Sequence, residues 1–136
     1  MDTIKEQLLK RCAELLEEIA NTQSDDFYGT PPKVFYVDFG YGDKRKIGIF
    51  IKDPLETYKF ENGTIKKVKA GTRNQAKPLS GMYFFEGSGT IGIDKKNNSA
   101  YLSFAAGPRY GQGFRYDIVD REEGKELGEE HLIWMS

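Results

Sequence analysis

Cysteine and histidine are nearly absent from this chain of 136 residues; Cys12 and His131 are the only examples. One cysteine excludes an intramolecular disulfide, and one Cys with one His excludes a zinc site in practice. No apolar run approaches the ~18 residues of a membrane-spanning helix. The segment Met1-Asp2-Thr3-Ile4-Lys5-Glu6 lacks the basic and apolar regions of a signal peptide, so a cytoplasmic location is expected. A dominant charge is missing too: 20 Lys and Arg stand against 21 Asp and Glu, a net charge of −1. That balance is uneven along the chain. Residues 33–77 carry 11 basic and 5 acidic side chains, while both flanks are net acidic.

Apolar residues make up only 38% of the chain, yet 13% are aromatic, with 9 Phe and 8 Tyr. A core built from them depends on a few large rings, each burying on the order of 150–250 Å². At this length the chain reads as one domain, residues 1–136.

The hydrophobic period switches once, near residue 30. Before it, Ile4, Leu8, Cys12, Leu15, Leu16 and Ile19 fall on one stripe of a 3.6-residue helix. Thr3 followed by Glu6 forms a capping pattern at its start. After the connector 24–32, short alternating stretches run between turn residues. Residues 34–39 and 47–51 read as a hairpin across Gly40-Tyr41-Gly42-Asp43. Residues 55–61 and 64–69 flank Asn62-Gly63, the strongest short hairpin signal. A two-residue loop there pairs Phe60 with Ile65 and sets Lys59 against Lys66. Residues 82–86, 90–94, 101–106, 114–118 and 131–135 read as further strands. The glycine-rich 107–113 and the acidic 120–130 read as loops. The pattern predicts an α+β fold: one N-terminal amphipathic helix on a mostly antiparallel, hairpin-rich β-sheet of about six to nine strands, open or partly barrel-like.

Few motifs carry chemistry. Gly87-Ser88-Gly89-Thr90-Ile91-Gly92 matches G-x-G-x-x-G, but a dinucleotide site needs a helix next, and Thr90 to Asp94 alternates as a strand does. Cys12 lies in the helical stripe and reads as a small buried hydrophobe. His131 has no nucleophile beside it in sequence. The carboxylates from Asp117 to Glu130 lack calcium-loop spacing and read as a solvated acidic face. Neither a metal nor a cofactor is expected, and a catalytic role is disfavoured.

Three functional readings remain. The first is a small protein that binds another protein, as an inhibitor, immunity-type protein or adaptor does. Its candidate contacts are Arg109, Tyr110, Phe114 and Arg115, which combine arginines and aromatics with flanking glycines, and the acidic Glu122, Glu126 and Glu129. The second is a small-ligand binder or small enzyme with a Tyr/Phe-lined pocket between helix and sheet. The third is nucleic-acid binding through Lys59, Lys66, Lys67, Lys69 and Arg73, with Tyr58 and Phe60 to stack bases. The chain's pI of about 5.9 argues against the third. A membrane partner is not expected, and self-association stays open.

Overall fold

The expected amphipathic stripe is a helix. In the computed structural model, which describes residues 3–21, 32–45, 48–69, 87–107 and 110–135, Ile4–Ala20 form α1. Thr3 caps it: the Glu6 amide donates to Thr3 Oγ1 at 3.1 Å, and that hydroxyl donates to the Glu6 carboxylate at 3.1 Å. Every residue of the stripe is buried, Leu8, Cys12 and Leu16 completely.

The helix covers one face of an open seven-stranded sheet, so the fold is α+β. Its strands are β1 (Val34–Tyr41), β4 (Glu56–Glu61), β5 (Thr64–Val68), β6 (Gly87–Asp94), β7 (Ser99–Gly107), β8 (Tyr110–Arg121) and β9 (Gly124–Met135), in the spatial order β5-β4-β1-β6-β7-β8-β9. All neighbours are antiparallel except β1 and β6. Two short strands, β2 (Asp43–Arg45) and β3 (Gly48–Phe50), form a separate hairpin.

The β4–β5 hairpin has the register its turn predicts. Asn62 and Gly63 both take positive φ, 53° and 75°, and Phe60 faces Ile65 while Lys59 faces Lys66. Both positive angles are what a two-residue turn needs to match strand twist. On the helix side, Phe35, Val37, Phe60, Ile91, Ala100 and Leu102 are fully buried beneath the stripe.

Three expectations are corrected. First, β1 does not pair with the segment after Gly42; it lies inside the sheet, between β4 and β6. Phe35, Tyr36 and Val37 are all buried, and a strand covered on both faces belongs in a sheet's interior rather than in an edge hairpin. Second, residues 110–113 are not loop but the start of β8, paired with β7 and β9. Gly111 and Gly113 give room rather than a turn: a Cβ on Gly113 would lie 1.9 Å from Trp134 Nε1. Third, the acidic stretch turns only around residues 122–123, and Gly124 at φ 138° leads straight into β9. The strand expected at 82–86 lies outside the described residues.

Candidate functional site

The sheet ends on one side at β9, a twelve-residue edge strand. An edge strand exposes a row of backbone donors and acceptors, which native proteins cover, charge or interrupt. The first part of β9 is covered by the helix. Gln7 Nε2 donates to the Lys125 carbonyl at 2.9 Å, and the Leu127 amide donates to Gln7 Oε1 at 2.9 Å. One amide side chain thus takes the place of a neighbouring strand. A register shift opposite Asp117 interrupts the ladder just beyond.

Next along β9, Glu130 ties the strand to the helix. Arg11 Nε and Nη2 donate to its two oxygens at 3.2 and 3.1 Å, and the Tyr116 hydroxyl donates to it at 2.7 Å. Burial alone would raise the Glu130 pKa, but the bonds from Arg11 and Tyr116 outweigh it and hold the carboxyl below its usual value. Burial, reinforced by Glu130, pushes the Tyr116 phenol up, so it stays a donor. A depressed folded-state pKa gives stability that is present above the unfolded value of about 4.3 and lost as pH falls through the folded one. We predict that Glu130→Gln costs roughly 0.5–1 kcal/mol at pH 7, since the pair is partly solvated. The deficit should narrow as pH falls from 7 to 3, because the carboxyl's contribution is lost as pH drops through its lowered folded-state value. Urea midpoints of both proteins at the two pH values check this; a deficit that persists in acid would sink it.

Past Glu130 the edge changes character. Leu132 and Met135 are 52% and 67% exposed. By register they lie on the helix side, opposite Phe114 and Gln112. Among the described residues, no strand pairs with the outer edge here. The edge is therefore clamped, charged and broken in its first half, and open and apolar in its second.

Among the described residues, no helix covers the other face of the sheet. A cross-strand row of Asp38, Thr90, Ser103, Gly113 and Trp134 runs over it, with Tyr101, Arg115 and His131 in the next row. Asp38 accepts from the Thr57 hydroxyl at 2.9 Å. The β2–β3 hairpin folds over part of this face, placing Ile49 and Ile51 above Gly92. Trp134 lies flat across Gly111 and Gly113.

The structure separates the residues expected to act together. Phe114 points to the helix side, its ring centroid 6.5 Å from that of Phe104, whereas Arg115 points to the opposite face. Tyr110 opens β8, and Arg109 lies outside the described residues. Glu122 is exposed at the β8–β9 turn, Glu126 pairs with Arg121 at 2.9 Å, and Glu129 is exposed beside the register shift.

The basic residues are divided as well. Lys59 pairs with Glu61 at 3.1 Å and faces Lys66, whereas Lys67 belongs to the helix side and lies 4.0 Å from Glu56. Lys69 follows β5, and Arg73 lies outside the described residues. Tyr58 and Phe60, expected to stack bases, are buried in the core. A cavity of about 410 Å³ at this hairpin is lined by Lys59, Lys66 and Lys67 with Glu61 and Asn62.

A second cavity, about 400 Å³, opens at the start of α1, between Ile4, Ile93, Ile118 and Tyr41 and beneath Lys5, Lys95 and Lys125. Two of these lysines have acidic partners, Glu56 and Asp120, and Lys95 lies over the Tyr41 ring. Burial pushes the Cys12 thiol up to about 12, which makes it a poor nucleophile. Cys12 faces the helix side and His131 the other, so the sheet stands between them.

Sequence reasoning missed Gln7, Tyr101, Leu132, Trp134 and Met135. The one visible signal was a C-terminal strand bearing Leu, Trp and Met directly after an acidic stretch. No family model, no curated protein and no solved structure matches this chain.

Proposed function

We propose that this chain works by binding another protein, as an inhibitor, immunity-type protein or adaptor does, in the cytoplasm and without catalysis. The observation that carries this reading is the second half of β9: a sheet edge with no strand partner among the described residues, flanked by exposed Leu132 and Met135. An extended partner segment adding there gains main-chain hydrogen bonds, and its alternate side chains meet the two apolar residues. Glu122, Glu126 and Glu129 lie along the same edge, so a basic segment fits. Tyr110 and Arg115 belong to the neighbouring strand β8.

Recovery of a partner from the native cell, followed by titration of variants, tests the reading. Leu132→Ala and Met135→Ala should each weaken binding by about 1–4 kcal/mol, mostly through faster dissociation. Glu126→Gln and Glu129→Gln should mainly slow association and flatten its salt dependence. A partner indifferent to Leu132 and Met135 would remove β9 as the contact.

The second cavity supports an alternative, a small amphipathic anion held by the apolar floor and the lysines at the start of α1. There, Lys95→Ala and Lys125→Ala would weaken the ligand while leaving the β9 variants without effect.

A further inference from the structure

Tyr101 and Arg115 are direct neighbours across the β7–β8 ladder, on the face without the helix. Tyr101 is 3% exposed, yet among the described residues its hydroxyl has no hydrogen-bond partner. The Nε of Arg115 is likewise buried and unpartnered, and among the described residues no ion pair or hydrogen bond engages that guanidinium. Buried donors without acceptors cost free energy. Arg115 Nε can only donate and the Tyr101 phenol can donate as well as accept, so one acceptor between them satisfies both, and the guanidinium fork prefers an oxyanion.

We infer that the helix-free face carries an oxyanion site at Tyr101 and Arg115, which takes a single carboxylate or phosphate group. Arg115, Ser103 and His131 around it are half-buried while the two donor atoms themselves are covered, so a ligand enters by displacing these partly exposed side chains. Its flanks are apolar: Ile49 lies over Gly92, which faces Tyr101, and Trp134 lies over Gly113 on the Arg115 side. Burial first, then the charge of Asp94, raises the Tyr101 pKa, so the phenol keeps its proton at neutral pH and donates. Two carboxylates on the same face oppose an anion. Asp94 is turned toward Asn97, whose amide and side chain donate to it at 3.1 and 2.7 Å, and Asp117 lies 3.6 Å from His131 Nε2. The local field is thus close to balanced, and directed hydrogen bonds rather than net charge select the ligand. Affinity for a bare ion falls in the millimolar range.

The test is a titration of the whole chain, followed through the Arg115 Nε–H resonance, with sodium phosphate and separately with sodium acetate at constant ionic strength. A saturable shift with a millimolar midpoint is expected, weakened at least about fivefold in Tyr101→Phe. Saturation by only one of the two anions assigns the class. No saturation with either, or an equal midpoint in Tyr101→Phe, overturns the site. The melting temperature of Tyr101→Phe in chloride buffer is the second readout. It should equal or exceed the wild type, because a hydroxyl without an acceptor is removed. A clear fall would show that the hydroxyl is already satisfied, and would overturn the site too. Neither measurement contains a protein partner, so both are independent of the β9 reading.

Discussion

Phe60→Ala is expected to lower stability by about 3–5 kcal/mol, the largest loss we anticipate for any one truncation. Phe60 is completely buried in β4 and meets Phe35 edge to face, ring centroids 6.1 Å apart at 67°. Truncation removes the ring's burial and the aromatic pair together. It also leaves a void that the helix is poorly placed to fill. Gln7 and Arg11 fix α1 to β9, so the helix cannot settle toward β4 without breaking those bonds, and Lys5 already ties its first turn to Glu56 of β4 at 3.3 Å. Urea unfolding checks the value. A loss under about 1 kcal/mol would mean that the core repacks around the gap, and that the helix is less constrained than these contacts imply.

Gly113→Ala should cost about 1–3 kcal/mol and shift the tryptophan emission to the red. The added methyl would fall 1.9 Å from Trp134 Nε1, a distance that no rotamer adjustment of the methyl itself relieves. Either the indole leaves the sheet, or β8 and β9 separate locally. Trp134 is the only tryptophan, so its emission reports this site alone. Gly111→Ala should do less, since its nearest approach is 2.9 Å, at the ring's edge. Unchanged emission and stability in Gly113→Ala would show that the indole does not rest on Gly113.

The elements read correctly from sequence are those whose signal is local. The α1 stripe and its Thr3 cap depend on spacing within a few residues, and Asn62-Gly63 fixes a register through its own two φ angles. The β1 placement failed because it depends on long-range partners: nothing in Val34 to Phe39 says that one neighbour is β4 and the other β6. The glycines of 107–113 misled for a related reason. Glycine marks both turns and close approach, and the approaching Trp134 lies more than twenty residues later in the chain. The candidate site was half legible. Arg115 and the acidic residues of β9 were visible as types, but a register shift on each side of Phe114–Tyr116 hides which residues of β9 they face. Gln7 carried no mark at all, because an exposed glutamine on a helix and one that clamps a strand edge look alike in sequence.

The parallel pairing of β1 with β6 also sets an order of assembly. It divides the sheet into two blocks, β5-β4-β1 and β6-β7-β8-β9, each built by antiparallel pairing within itself, the first interrupted in the chain only by the β2–β3 hairpin. Hairpins close short loops and form early, whereas the seam joins segments far apart and must wait for both blocks. The helix packs on strands from both sides of that seam, among them β5 and β9, the two ends of the sheet. Its apolar stripe therefore has no complete surface to bury against until the seam has closed. The helix, which precedes every strand in the chain, is thus among the last elements to be covered, and during that interval Leu8, Cys12 and Leu16 are the surface a chaperone would meet.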